Sequence, residues 1–207
     1  MQGLKLVCWD FEGCGLYPLQ VGISTMENGE IKTGFFSDLY APRELKIPWQ
    51  SPASSLDRDI LARSPRLHEL WPHLAPYWNC HSFVSHNKGT ERKYLGAFPL
   101  HAAPGWLDTL KISRFAYPSL PDHSLSALLK SVNLYDEALR LASSAGQVSE
   151  HHPIFDTVGS LLLLKHLWSH DNWKHATLEQ MQQIRPKAYY TERRAKASPI
   201  NKKLKWT

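Results

Sequence analysis

The sequence predicts an α/β domain in which a mixed β-sheet is flanked by helices. Its 207 residues are 43% hydrophobic and 21% charged, which is the size and composition of one compact domain with a buried core. The first forty residues have the pattern of three strands, and the later residues alternate between helix and strand. Three antiparallel strands followed by such alternation are typical of a mixed sheet covered by helices.

The three predicted strands are residues 4–10, 19–26 and 31–36. Asn28-Gly29 separates the last two and has the composition of a tight hairpin turn. We therefore expect an antiparallel meander at the start of the chain.

The remaining elements follow from prolines, caps and apolar spacing. Residues 40–65 contain four prolines among polar residues and predict an irregular surface excursion. A helix over 65–74 precedes a short strand over 82–85, and a helix from about residue 88 has Asn87 as a plausible N-cap.

The second half predicts further helices. Residues 107–112 pass from strand into helix, and Ser124 is suited to cap a helix with leucines at helical spacing. Residues 141–150 are rich in Ala, Ser and Gly and are predicted to be a mobile loop. A strong helix is predicted over 153–169.

Targeting signals are not evident. The apolar stretch before Asp10 is too short for a signal peptide, and no apolar run reaches the roughly 20 residues of a bilayer span. Three cysteines in no metal-like pairing indicate free thiols. We therefore expect a cytoplasmic protein.

The basic residues are concentrated at the end of the chain. From Arg185 onward there are eight lysine or arginine residues against one acid. We therefore divide the chain into a domain over 1–184 and a basic tail over 185–207. A cationic tail predicts a polyanionic partner because phosphate neutralisation releases counterions, although such a tail can also serve solubility alone. The tail residues expected to contact nucleic acid are Arg193, Arg194, Lys196, Lys202, Lys203 and Lys205.

The first chemical motif is Asp10-Phe11-Glu12-Gly13. Side chains two apart on a strand share a face, so Asp10 and Glu12 form a carboxylate pair suited to a hard cation. Gly13 and Gly15 then allow a sharp turn. Many strands end in acids beside a glycine turn, so this motif by itself is weak evidence.

The second motif is His86-Asn87 followed by Glu91, directly after a predicted strand. Glu91 shares a helix face with the apolar residues Tyr94 and Leu95, so its carboxylate is predicted to point inward. The simpler alternative is a boundary glutamate paired with a neighbouring arginine.

The third motif is His151-His152-Pro153 followed by Asp156. Pro153 suits the first helical position and keeps His152 extended, so His151 lies in the preceding loop and Asp156 in the first turn. A loop histidine can fold back toward the carboxylate. The alternative is one exposed histidine among the 11 of the chain.

In combination and in order, these motifs resemble those of the DnaQ-like DEDDh exonucleases, which have an RNase H-like fold. The resemblance covers about residues 4–184. It implies a 3′→5′ exonuclease in which two Mg²⁺ (or Mn²⁺) ions are held by Asp10, Glu12, Glu91 and Asp156, with His151 as general base. It also implies substrate contacts from Phe11, Gly13, His86 and Asn87.

The resemblance implies DNA 3′ ends as the partner, single-stranded or overhanging, and does not exclude RNA or a polymerase complex. Two residues depart from the family pattern. Glu91 stands where the family has Asp, which should shift a metal ion or its water. Gly13 stands where the family usually has Thr, so a side-chain contact to the substrate is lost.

Three alternatives remain open at this point. The domain could bind nucleic acid with weak or no catalysis, and Glu91 in place of the family's aspartate would be the sign of that loss. It could degrade RNA in the manner of an oligoribonuclease. The histidines could instead hold zinc, since His166 and His170 are spaced i, i+4 and His151 and His152 are adjacent.

Overall fold

A five-stranded mixed sheet forms the centre of the protein. The computed structural model describes residues 3–146, 148–170 and 173–186. The strand order is β3-β2-β1-β4-β5. The first three strands are antiparallel neighbours, and β4 and β5 add in parallel beside β1. The strands are β1 (Lys5–Cys14), β2 (Tyr17–Glu27), β3 (Glu30–Asp38), β4 (Ser82–Ser85) and β5 (Trp106–Asp108). The predicted α/β class is confirmed.

Helices cover both faces of the sheet. In the part of the chain that the structure describes, the α-helices are α1 (Arg58–Leu61), α2 (Trp71–Leu74), α3 (Gly89–Leu95), α4 (Thr109–Ala116), α5 (Leu125–Ser131), α6 (Tyr135–Ala142), α7 (Pro153–Ser169) and α8 (Leu178–Gln183). Short 3₁₀ turns occur at Pro52–Ser55, Leu67–Leu70, Ala75–Trp78 and Ser143–Ala145. None of the described helices is long and apolar enough to cross a membrane.

The central strand β1 divides the core into two layers. Leu6 and Cys8 belong to a cluster with the buried side chains of α7, whereas Val7 and Trp9 belong to an aromatic cluster on the other face. This is the two-residue alternation of a strand that is buried on both sides. Asp10 therefore continues the row of Leu6 and Cys8 toward α7.

Helix α7 is seated directly on the sheet. A Cβ atom at Gly22 would lie 2.5 Å from Cβ of Pro153, so only glycine lets the first turn of α7 approach β2 this closely. One turn further on, the buried hydroxyls of Ser24 and Thr157 form a 2.7 Å hydrogen bond. Together these contacts fix the start of α7 over the sheet.

Three predicted boundaries differ from the structure. Helix α3 begins at Gly89 with Lys88 as its N-cap, because Asn87 adopts a φ of 75° and donates its amide to Asp108 instead. The predicted loop over 141–150 begins inside α6 and a 3₁₀ turn, because small alanines of this region pack against α7. The helix predicted over 65–74 is divided into a 3₁₀ turn and the short α2.

Candidate active site

Strand β1 presents two carboxylates at its end. Asp10 pairs in register with Gly22 and Glu12 with Gln20, and the register shifts immediately after Glu12. Both acids lie on the α7 side of the sheet by the alternation described above. The irregularity ends the regular strand where the two carboxylates converge.

Helix α7 and its leading loop bring an acid and an imidazole to the same place. Pro153 is the first residue of α7 and His152 its N-cap, with the His152 ring accepting the amide of Ile154. His151 has a φ of 63°, which turns the loop back on itself. As a result, one ligand atom each from Glu12, His151 and Asp156 lie within 4.8 Å of one another.

Burial makes these acids reluctant to ionise. Desolvation is the largest cause in each case. It raises the pKa of Asp10 well above its ordinary value, and the charges of Asp156, Glu91 and Glu12 raise it further. Burial also raises the pKa of Glu12 to about 7 and that of Asp156 to about 7. Without a cation, the cluster is therefore partly protonated near neutral pH.

Glu91 approaches the cluster from the opposite face of the sheet. It is 3% exposed, and its helix packs through Tyr94 and Leu95 against the aromatic layer. Burial raises its pKa to about 8, while amides of Glu91 and Phe11 that donate to it oppose the rise. The inward orientation predicted for Glu91 is confirmed.

Two buried carboxylate oxygens lack partners within the described structure, Asp10 Oδ2 and Glu91 Oε2. A buried, unpaired acceptor is costly. Four acids with raised pKa values, two of which have an unsatisfied oxygen, fit a hard divalent cation, which takes oxygen ligands and cancels their charge. The donor set thus suits the metal ions that the motifs imply.

A cavity of about 860 Å³ opens beside the acids. Asp10, Asp156 and His151 line one side. The remaining lining comes from α4, α5 and the connection between them, which the sequence analysis did not assign to the site. These lining residues include Arg114, Leu120, Pro121, His123, Ser124 and Ser126. The sequence of this connection contains prolines, which indicate a loop but do not predict that the loop lines a cavity.

The comparisons with known proteins bear on the fold. No protein-family model matches the sequence, and no curated protein matches it significantly. Among solved structures, exonuclease X in complex with 5′ overhanging duplex DNA matches with a TM-score of 0.67 at 22% identity, over 86% of this chain and 98% of that one. The chain has the RNase H-like fold of exonuclease X. The resemblance to the DnaQ-like exonucleases is thereby confirmed at the level of the fold.

A second solved structure supports the same architecture. The structure of the yeast NOT1 MIF4G domain co-crystallized with CAF1 matches with a TM-score of 0.56 at 11% identity, over 85% of this chain and 82% of that one. At this identity the likeness concerns the fold alone.

His86 connects β4 to the residues that line the cavity. Its Nδ1 lies 2.9 Å from Oγ1 of Thr109 and its Nε2 lies 2.9 Å from the carbonyl oxygen of His123. Burial lowers the pKa of His86 to about 4, so the ring is neutral. Because a carbonyl only accepts, Nε2 carries the proton and Nδ1 accepts from Thr109. The substrate contact expected of His86 stays a prediction, although the residue lines the cavity.

The other three residues expected to touch substrate occupy different environments. Asn87 lines the cavity, with its backbone amide bonded to Asp108. Phe11 is buried in the aromatic layer, and its ring contacts that of Tyr94 at 5.5 Å. Gly13 lies under Tyr94, where a Cβ atom would stand 2.2 Å from the hydroxyl oxygen. A threonine at position 13 would therefore require the Tyr94 ring to shift.

Of the histidines considered for zinc, only His151 belongs to a ligand group within the described residues. His152 caps α7, and Nε2 of His166 lies 2.9 Å from the Tyr117 hydroxyl. The four-histidine zinc site is therefore not formed.

Glu150, the residue before His151, is hydrogen-bonded to side chains of α5 and α6. Its carboxylate accepts a 2.8 Å hydrogen bond from Lys130, and Tyr135 also donates to it. The predicted basic tail residues at 193–205 lie outside the described residues, and their contact with nucleic acid stays a prediction.

Proposed function

We propose that this protein is a metal-dependent 3′→5′ exonuclease that releases nucleoside 5′-monophosphates from single-stranded or overhanging DNA ends. The observation that carries the proposal is the convergence of Glu12, His151 and Asp156 within 4.8 Å, beside the buried Asp10, on the fold of exonuclease X. These three groups come from a strand, a loop and a helix, and two of them, His151 and Asp156, line the cavity described above.

Two Mg²⁺ or Mn²⁺ ions would be held by Asp10, Glu12, Glu91 and Asp156. When bound, such ions neutralise the phosphate and promote ionisation of an attacking water. The protein contributes the positions of the oxygens. Asp10 and Glu12 are fixed by strand pairing, and Asp156 by the seat of α7 on β2.

His151 would accept the proton. Its side chain is exposed and lines the cavity, whereas Asp156 is half-buried. In the proposed reaction the imidazole takes the proton of the attacking water and passes it to solvent. The two ring nitrogens of His86 are engaged elsewhere, so it is not a competing base.

The cavity wall supports a nucleotide at a strand end. Leu120, Pro121 and Leu125 offer apolar contact to a base or sugar, and Arg114 brings a positive charge to the same cavity. A mixture of apolar surface and a few polar groups is characteristic of ligand sites of this size. Exonuclease X was crystallised with 5′ overhanging duplex DNA, so a recessed 3′ end is a further substrate to test.

The test is nucleotide release by the full chain from matched DNA and RNA oligonucleotides that are single-stranded, blunt or overhanging, with Mg²⁺ or Mn²⁺. We expect 5′-monophosphates as products, loss of release in Asp10→Asn, and a fall in kcat of roughly 10² to 10⁴ in His151→Ala. His175→Ala, a change of an exposed histidine away from the cavity lining, serves as the matched control.

DNA binding without nucleotide release under either metal would overturn the proposal in favour of a nucleic-acid-binding domain that lacks catalysis. Faster release from RNA than from the matched DNA would instead reassign the substrate while keeping the reaction.

A further inference from the structure

The imidazole of His151 lies within the set of metal donor atoms. One nitrogen of His151 and one oxygen each of Glu12 and Asp156 are mutually within 4.8 Å. Two ligand atoms that each lie about 2.1 Å from a tetrahedral Zn²⁺ ion stand roughly 3.4 Å apart. A contraction of up to about 1.4 Å would therefore let all three bind one ion.

The loop geometry permits this contraction. His151 is exposed and precedes the first residue of α7, so its side chain can move without disturbing the core. Glu12 and Asp156 are held from β1 and α7 on either side of it. The mobile partner of the three is thus the nitrogen donor.

An independent observation supports the binding of a cation at this place. Asp10 Oδ2 is buried in the same cluster and finds no hydrogen-bond donor within the described structure. Asp10 also lines the cavity together with His151 and Asp156. A fourth donor therefore stands beside the three.

The chemistry of this donor set separates two classes of metal ion. Mg²⁺ binds oxygen ligands and keeps several waters, so it does not coordinate an imidazole nitrogen. Zn²⁺ binds histidine nitrogen together with carboxylate oxygen, commonly with four ligands. A site with one nitrogen and several carboxylate oxygens can bind both ions. His151 is a ligand of Zn²⁺ but not of Mg²⁺.

We propose that Glu12, His151 and Asp156 form a binding site for Zn²⁺, and that this ion inhibits the protein because it occupies the imidazole nitrogen. The binding half stands on the geometry alone. The inhibitory half rests on the proposed function, since it requires His151 to act as a base with a free nitrogen. Mg²⁺ and Zn²⁺ then have opposite effects at overlapping ligands.

The binding half is tested on the metal-free full chain without nucleic acid. Zn²⁺ is titrated by calorimetry, and the visible absorption of Co²⁺ serves as a spectroscopic probe of nitrogen ligation. We expect His151→Ala to weaken Zn²⁺ binding by at least about tenfold, as for loss of one ligand, and to change the Co²⁺ spectrum. The affinity for Mg²⁺, measured by competition, should change less than about twofold.

His175→Ala is the control for histidine removal at an exposed position, and His151→Gln checks that the loop tolerates substitution. Circular dichroism verifies that each variant is folded. Equal Zn²⁺ affinity in the wild-type and both His151 variants would overturn the proposed site.

The inhibitory half is tested by adding Zn²⁺ to a Mg²⁺-supported digestion of a DNA oligonucleotide. We expect nucleotide release to fall at least tenfold when Zn²⁺ saturates the site and to recover after chelation and renewed Mg²⁺. Full activity at saturating Zn²⁺ would overturn this half. Absence of any Mg²⁺-supported release would instead refute the proposed function and leave the binding result standing.

Discussion

A side chain at position 13 would collide with the ring of Tyr94. In Gly13→Ala the new Cβ would stand 2.2 Å from the Tyr94 hydroxyl oxygen and 2.7 Å from its Cζ. An ordinary contact requires at least 3.4 Å, so the ring must shift by about 1 Å. The hydroxyl lies 3.2 Å from the carbonyl oxygens of Gly15 and Tyr17, and this interaction would be lost with the shift.

The expected cost follows from these two effects. Overpacking costs about 1–3 kcal/mol, and the lost hydrogen bond adds about 1 kcal/mol. We therefore expect Gly13→Ala to lower the free energy of unfolding by about 2–4 kcal/mol. For a chain of this length that corresponds to a fall in Tm of roughly 4–16 °C. Thermal melts followed by circular dichroism in the presence of chelator measure it.

Gly89→Ala is the matched control because a Cβ at Gly89 would meet only Oδ1 of Asn87, at 4.0 Å. Its Tm should be unchanged or slightly higher. In a Tyr94→Leu background, Gly13→Ala should cost at least about 1 kcal/mol less than in the wild-type. A Tm for Gly13→Ala within 1 °C of the wild-type value would refute the reasoning.

Three further predictions concern the acids and the tail. First, the metal-free protein should lose stability as the pH rises from about 4.5 to about 8. Burial raises the pKa of Glu12 and Asp156 to about 7 and that of Glu91 to about 8, so the stability present below their ordinary pKa is lost as pH passes these values. Melts in chelator should show this, and Mn²⁺ should raise Tm more at pH 8 than at pH 6.5; a flat chelator profile would contradict it. Second, Glu91→Asp should weaken Mn²⁺ affinity by about tenfold in calorimetry, about 1.4 kcal/mol, because α3 is packed in place and the shorter carboxylate falls short. Equal or tighter binding would show that Glu91 is not a ligand. Third, deleting residues 186–207 should reduce the salt dependence of DNA binding, with a slope smaller by up to about four for six phosphate contacts on a single strand. An unchanged slope would exclude the tail from the interface.

Local patterns in the sequence were sufficient to predict the positions that build the acidic cluster. The two-residue alternation of β1 places Asp10 and Glu12 on one face, and Pro153 at the start of α7 sets His151 in the loop ahead of Asp156. Both arguments depend on backbone geometry over a few residues. The structure therefore agrees with both of them.

Features that depend on distant residues could not be predicted in this way. The turn at Asn87 is set by a carboxylate 21 residues away, and the exclusion of a side chain at Gly13 comes from Tyr94 on another element. The cavity wall around Arg114 and His123 depends on how the α4–α5 connection folds back. Helix α6 was not among the predicted elements, although Tyr135, Ala138, Leu139 and Ala142 stand at helical spacing and Ala138 and Ala142 are fully buried against α7.

The contact between Gly22 and Pro153 has a consequence for how the protein can fail. Any larger residue at position 22 must lift the first turn of α7, and Asp156 and His151 travel with it while Asp10 and Glu12 remain on their strand. Such a substitution would separate donors that need sub-ångström agreement, yet every ionisable group would still be present. Substitutions that abolish the proposed activity need not lie among the acids alone.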